Sequence, residues 1–580
     1  MKFLLKYWRR YRFLFFTGIS FLTMEACCDL LQPAIASRII DNGVKNRELN
    51  VVLRYACIML LVTLFGACCA VMRNHLASRV SQYFVRDLRL DLFTKIYGFS
   101  FDELGKHSAA TLITRMTNDT TQLQNFANGL MRIFIKGPLI CIGSVVMVFF
   151  LNLRLAAILS VAAPMIMLTI YLSMKAGFPF FARMQVQLDR NNGVIREYLS
   201  GVRVVKAFNT FKQEEARFKE SNSALAHTAV SANRVMAVFN PIIMLWVNLS
   251  VIFLLWNAQP LIRSEQLNIG EIIAFINYMA QILFSMIMIF NVYQQFIRAK
   301  ASAERISEIM NLSSPDEAGS HPADKLTGHI RFDNVSFTYP GAPGRPALKD
   351  ISFEMYPRET VGVIGSTGSG KTTLIQLIPG FYKPGSGSVL LDGLPAHTYD
   401  PEKLRESISV VAQTAQLFTG TIADNIRWGK EGATEDEVVA AAKVAQAHGF
   451  ITSFPAGYDT WVGQHGVNLS GGQKQRLSIA RAIIRDTKIL LLDDCVSAVD
   501  VETEAAIMAA INEISKELTC MLVSQRGSSL MRLPKILVLD EGGVAGLGTH
   551  EELLKNCTVY REICRSQLGA LSGADGKAEL

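Results

Sequence analysis

An α-helical membrane domain of six long transmembrane helices, followed by an α/β domain with a phosphate-binding loop, is the fold class that three observations predict. Residues 1–311 hold six apolar stretches of the length a bilayer requires, about twenty residues each. From residue 329 short apolar runs alternate with helical periodicity, the pattern of a sheet flanked by helices. Between two of those elements lies Gly365-Ser366-Thr367-Gly368-Ser369-Gly370-Lys371-Thr372, which fits G-x-x-x-x-G-K-[ST]. Composition agrees: 50% of the 580 residues are hydrophobic and 19% charged, too apolar for an ordinary soluble protein and too charged for one wholly in the membrane.

Taken in order, Met1 to Arg10 lacks a small-residue cleavage site and is expected as an amphipathic lead-in on the inner membrane face. Spans are expected at 13–36, 51–75, 130–151, 154–177, 238–261 and 272–297. An even number leaves both ends on one side. Basic flanks such as Lys6, Arg9, Arg10, Arg73, Arg79 and Arg86 put that side, with the α/β domain, in the cytoplasm. The same flanks account for the net charge of +8 without a nucleic-acid partner. About fifty residues separate spans two and three and about sixty separate four and five, and loops that long carry structure of their own. Val80 to Leu90 has helical periodicity, so the spans are expected to run on as arms of roughly 30–40 Å at 1.5 Å per residue. A short turn helix is expected at each tip, near Phe101 to His107 and near Asn209 to Glu215. Residues 312–328 read as a linker, 329–567 as the α/β domain and 568–580, rich in Gly, Ala and Ser, as a disordered tail. The ten cysteines lack metal-ligand spacing and read as reduced packing residues.

The phosphate loop follows the apolar run Val361 to Ile364 and precedes Thr373 to Ile378, which reads as a helix. Its glycines let successive backbone N–H groups face one point, where the helix N-terminus adds positive potential and Lys371 a point charge. Thr372 offers a hydroxyl to Mg²⁺. A glycine loop that only turned the chain would need neither Lys371 nor Thr372 at these places. Leu469-Ser470-Gly471-Gly472-Gln473 opens a second helix, Gln473 to Ile484, whose first N–H groups also suit an anion. Ile489 to Leu492 is a buried strand ending in Asp493, placed to share a Mg²⁺ shell with Thr372.

These motifs in this order resemble the ATP-binding cassette (ABC) exporters, specifically half-transporters with six membrane helices and one P-loop NTPase nucleotide-binding domain, over nearly the whole chain. The resemblance implies ATP and Mg²⁺ as cofactors, with Gly365 to Thr373 around the phosphates and Thr372, Gln413 and Asp493 around the metal. It implies Tyr339, in Phe337-Thr338-Tyr339-Pro340, as the ring stacked on adenine, although plain strand packing also explains that residue. Gln413 matches the family's Q-loop and Ser497 to Asp500 its D-loop. In the family two cassettes pack head to tail, so Ser470, Gly471, Gly472 and Gln473 would serve the ATP of a second half-transporter chain.

Two departures stand out. Asp494 occupies the place of a catalytic Glu, about 1.3 Å shorter for one C–C bond, and Gln525, in Val523-Ser524-Gln525-Arg526, occupies that of a switch His. A misplacement of about 1 Å can cost on the order of a hundredfold, and Gln does not titrate. Asp494, Gln525 and Gln413 are thus the weakened catalytic set, and the pattern resembles the degenerate-site subunit of heterodimeric bacterial multidrug exporters. Trp461, where the family has an acid, is a third departure. The expected cargo is an amphiphilic small molecule. A homodimeric lipid or peptide exporter, and an ATP-gated regulator or channel, are the alternatives.

Within the membrane, Glu25 and Asp29 share a face of the first span. Both a cation-attracting substrate patch and a structural pair fit them. Asn240, Asn248, Asn257, Asn277, Gln281, Asn291, Gln294 and Gln295 make spans five and six polar, as glue between helices or as the wall of a wet cavity.

Overall fold

The computed structural model describes residues 4–264, 266–312, 319, 321–323, 326–339, 344 and 346–568. Most of the expected linker 312–328, and all but the first residue of the expected tail 568–580, lie outside them. The chain forms two units, 1–95 with 112–312, and 96–111 with 313–580.

The first unit is helical: α1 (Leu4–Arg10), α2 (Arg12–Arg38), α3 (Leu49–Tyr97), then, after α4 (Phe101–Lys106) of the second unit, α5 (Ala109–Thr114), α6 (Thr120–Gly129), α7 (Lys136–Leu151), α8 (Leu153–Phe208), α9 (Phe211–Arg263) and α10 (Ile269–Asn311). Among the described residues, six helices or helical runs are long and apolar enough to cross a membrane. Single wide turns at Arg115–Asp119 and Leu130–Phe134 join α5, α6 and α7 into one run, so the third span is part of a continuous rod from 109 to 151. The long arms are present, but the tips differ from expectation at one place. The first tip is the short helix Phe101–Lys106, whose Ser100 hydroxyl accepts the Glu103 N–H. The second has no helix of its own: α8 turns directly into α9 through Asn209, at φ 51°, and Thr210. One asparagine tolerant of the left-handed region suffices for the reversal.

α1 is more than a surface lead-in. Lys6 and Tyr7 both reach Asp91 of α3, at 3.0 and 2.7 Å, and Arg10 and Tyr11 both reach Asp87, at 3.1 and 2.7 Å. Two basic–tyrosine pairs four residues apart therefore meet two aspartates four apart, one helical turn matching another.

Glu25 is buried and accepts from Arg73 Nε at 2.6 Å and from Lys136 Nζ at 2.6 Å, while Lys136 also pairs with Asp29 at 2.9 Å. Two carboxylates meet two cations, so the structure holds Glu25 and Asp29 as a structural cluster joining α2, α3 and α7. Removing one member of a buried pair strands the other. Arg73→Ala is expected to cost on the order of 3 kcal/mol, read as a lower unfolding midpoint in detergent, with Arg73→Lys in between. Gln281 is interhelical glue, donating to the Asp29 carbonyl and accepting from Ser144, whereas Asn257 and Asn277 bond carbonyls of their own helices. Side chains of Asn240, Asn291 and Gln294 lie outside the description.

Among the described residues the second unit holds twelve strands: β1 (Ile330–Phe337), β2 (Leu348–Met355), β3 (Thr360–Gly365), β4 (Ser386–Leu391), β5 (Leu394–Pro395), β6 (Ile408–Val411), β7 (Gly420–Thr421), β8 (Trp461–Val462), β9 (Ile489–Asp493), β10 (Thr519–Val523), β11 (Lys535–Asp540) and β12 (Gly543–Gly548). The central sheet runs β12-β11-β3-β10-β9-β6, parallel except for β12. β3, β9 and β10 are apolar without alternation because both faces are covered. A separate antiparallel sheet runs β2-β1-β4-β5. α4 belongs to this unit: Phe101 packs on Phe381 and Tyr382, with ring centroids 4.6 and 5.9 Å apart. All ten cysteines are free thiols.

Candidate functional site

The parallel strands all end at one edge, and the candidate residues collect in the loops that leave it. β3 stops at Gly365, where an added Cβ would lie 2.2 Å from the Leu539 carbonyl oxygen of neighbouring β11. Only glycine fits that gap. The loop Ser366 to Gly370 then curls through φ values of 83° at Gly368 and 96° at Gly370 into the helix Lys371–Leu377. Lys371 is buried, and its ammonium donates to the carbonyls of Gly365 and Ser366 at 2.9 and 2.8 Å. Burial pulls it below the ordinary lysine range against the opposing pull of Asp494 and Asp493. Ser369 Oγ is buried and has no partner among the described residues. A concave loop with a buried cation and an idle hydroxyl suits an anion of several oxygens.

The glycines differ in what they forbid. At Gly370 a Cβ would meet the Ala347 carbonyl and Leu348 at 2.6 Å, whereas at Gly368 it would meet nothing within 4 Å among the described residues. Gly370→Ala is expected to abolish nucleotide binding. Gly368→Ala carries only the left-handed backbone cost of about 1–2 kcal/mol, a weakening of about tenfold, both read by equilibrium titration with a fluorescent ATP analogue.

Opposite the loop, β9 ends in Asp493, and Asp494 follows at φ 46°. Both carboxylates are buried. Burial pushes Asp493 up, offset in part by the Thr372 hydroxyl that donates to it. Burial also pushes Asp494 up, against the Gln525 backbone N–H and the Gln413 amide. Thr372 and Asp493 thus stand together, a hydroxyl and a carboxylate of the hard-oxygen kind that Mg²⁺ takes.

The three weakened positions converge on one another. Gln525 Nε2 donates to Asp494 Oδ2 at 3.1 Å, the Gln525 backbone N–H to Oδ1 at 3.4 Å, and Gln413 Nε2 to Oδ2 at 3.4 Å. The Asp494 carboxylate is held from both sides by amides that can give a hydrogen bond but cannot take a proton.

Tyr339 is half-buried. Its hydroxyl bonds Thr373 Oγ1 at 3.0 Å and Gln376 Oε1 at 3.1 Å, and its ring meets Phe337 and Tyr382 at right angles, 4.9 and 5.4 Å away. The ring thus packs within its own domain, and Thr373 touches its hydroxyl.

Ser470 and Gln473 form a reciprocal cap on the helix Gly471–Ile483, with Ser470 Oγ accepting from Gln473 N–H and Gln473 Oε1 from Ser470 N–H. Ser470 and Gly471 are exposed, and among the described residues no hydrogen bond joins Ser470 to Gln473 with the phosphate loop. Gly472 lies against the next loop, where a Cβ would be 2.8 Å from the Ala498 carbonyl. Gln475 accepts from Ala498 N–H at 3.0 Å and donates to Ser497 at 3.3 Å. Sequence reasoning missed Gln475, and also Glu504, whose buried carboxylate takes the Arg526 guanidinium and the Ser529 hydroxyl. An acid in a first helical turn reads as a solvated one, so nothing local signals Glu504.

Comparison with known proteins agrees with this arrangement. Residues 15–286 match the family model of the ABC transporter transmembrane region, and residues 348–497 that of the ABC transporter domain. The chain is 39% identical over 554 residues to the Bacillus subtilis ABC transporter ATP-binding protein YfiB, covering 95% of this chain and 96% of that one. It is 38% identical to Mycobacterium tuberculosis Rv1273c, an ABC transporter ATP-binding protein, over 98% of each chain. It is also 30% identical to the ATP-dependent lipid A-core flippase of Salmonella typhimurium, over 95% of each. A solved bacterial Atm1-family ABC exporter with ATP bound superposes with a TM-score of 0.77 at 26% identity, covering 97% of this chain and 99% of that one. Six membrane-length helices ahead of a phosphate loop, an LSGGQ helix and a strand-terminal aspartate are accounted for together: the chain belongs to the ABC transporter family, as an exporter-type half-transporter with one ATPase domain.

Proposed function

We propose that this chain is the hydrolysis-impaired half of a heterodimeric exporter in the cytoplasmic membrane, with both ends and the ATPase domain on the cytoplasmic side. It keeps ATP in its own phosphate loop and lends its LSGGQ to a partner half-transporter that does most of the cleavage. The observation that carries the reading is the fettered Asp494, whose two oxygens accept from Gln525 and Gln413.

In this reading Gly365 to Thr373 would cradle the phosphates, Lys371 would turn from its loop carbonyls to the outer phosphate oxygens, and Thr372, Asp493 and Gln413 would hold Mg²⁺. The metal, when bound, neutralises charge on the phosphates. A working neighbour of Asp493 must hold a water in line with the terminal phosphate. Asp494 is short by about 1.3 Å, and its lone pairs already face amide hydrogens. Gln525 cannot exchange a proton as a switch His does. The exposed Ser470 and Gly471 keep the capped N-terminus that an anion on a partner chain needs.

ATP binding draws the cassettes together, and the long helical arms carry the motion to the spans, turning a cavity from one side to the other. An amphiphilic small molecule suits such a cavity. The lipid A-core flippase among the relatives makes a lipid the second candidate. ATPase activity of the chain purified alone, then with its partner half-transporter, tests the assembly. Little turnover alone and robust turnover together is expected; robust turnover alone would remove the heterodimer.

A further inference from the structure

Gln525 does not hold its place unaided. The last described helix, Thr558–Leu568, reaches back to the loop after β10 through one side chain. Gln567 Nε2 donates to the Gln525 carbonyl and Gln567 Oε1 accepts from the Gly527 N–H, each at 2.6 Å. A single side-chain amide thus pairs with the backbone on both sides of Arg526, as a neighbouring strand's peptide group would. The helix is a firm support: Tyr560 is fully buried with its hydroxyl 2.7 Å from His550 Nδ1, and Cys564 is buried in the same core. A Cβ at Gly527 would make a tight contact, 3.2 Å from Gln567 Oε1, so the glycine leaves the amide room.

We infer that Gln567 is a positioning residue for the nucleotide site, acting through Gln525. Its amide fixes the peptide groups between which the Gln525 side chain leaves the backbone, and that side chain bonds Asp494 at 3.1 Å with one amide hydrogen. The other hydrogen has no acceptor among the described residues and would face the terminal phosphate of a nucleotide in the loop. This rests on the reading that the phosphate loop retains ATP, and it adds the last described helix to the parts that decide how long ATP stays. Nothing in the sequence around Gln567 points to it, because its two partners lie 42 and 40 residues away.

The test is a double-mutant cycle on the assembled transporter in lipid, loaded with α-labelled ATP and chased with unlabelled ATP. Gln567→Met keeps the side chain's bulk and removes both hydrogen bonds. Gln567→Glu keeps the acceptor for Gly527 and turns a carboxylate toward the Gln525 carbonyl. Either change is expected to speed release of label from this chain about threefold to tenfold, the effect of loosening one charge-assisted hydrogen bond. In a Gln525→Ala background the same changes should act less than about twofold, because the side chain they position is gone. Equal acceleration in both backgrounds would show a purely structural support and overturn the inference, as would no acceleration in either. The chemical state of the retained label answers separately for the reading beneath: ADP there contradicts impaired hydrolysis, whatever the cycle shows.

Discussion

Asp494→Glu combined with Gln525→His is expected to raise ATP cleavage at this chain's own phosphate loop by on the order of a hundredfold. The added methylene restores about 1.3 Å of reach, and replacing Gln525 removes the 3.1 Å amide bond that draws Asp494 aside. The gain has an opponent. Position 494 sits at φ 46°, where aspartate is better tolerated than glutamate. That backbone cost is about 1 kcal/mol, whereas a hundredfold corresponds to about 2.7 kcal/mol, so reach outweighs strain. Asp494→Glu alone should give a smaller rise, since Gln525 still donates to the carboxylate. Single-turnover cleavage of labelled ATP on the assembled transporter reads both variants.

The second large effect runs the other way. Gly471→Asp is expected to lower steady-state ATPase of the heterodimer by at least a hundredfold while leaving ATP binding at this chain's own loop intact. Gly471 is exposed, and among the described residues its Cβ position meets only the Ala498 methyl, at 3.6 Å, so the side chain fits without refolding the helix. It would place a negative charge where the partner's terminal phosphate must dock. Two like charges about 4 Å apart at an interface cost about 4 kcal/mol at an effective dielectric of 20, well beyond a hundredfold. Asp494→Ala, by contrast, should change steady-state turnover less than twofold, because this chain's own site contributes little of it. The pair of outcomes distinguishes a lent signature from a shared one.

What could be read beforehand divides along the range of the interactions. The spans were legible because a run of about twenty apolar residues has few other uses, and β3, β9 and β10 because a strand buried on both faces reads as an unbroken apolar run. The antiparallel sheet was mostly missed, since β1 carries Arg331, Asp333 and Asn334 on its outer side and pairs with strands that only the fold supplies. At the site, the motif residues were legible from spacing, but the bond that matters most was not. Gln525 and Asp494 are 31 residues apart, and their meeting follows from β10 lying beside β9, with Val523 paired to Asp493. The partners of the Tyr339 hydroxyl, Thr373 and Gln376, lie 34 and 37 residues away and were likewise out of reach. The shared face of Glu25 and Asp29 was visible in the sequence, while their partners Arg73 and Lys136 belong to other helices.

The division of labour is tested most directly by trapping one round of γ-labelled and α-labelled ATP on the purified heterodimer, separating the two chains, and identifying the nucleotide each retains. Intact ATP on the chain bearing Lys371 and Asp494, with ADP on its partner, is the result expected. ADP appearing on both chains at the same rate would contradict it.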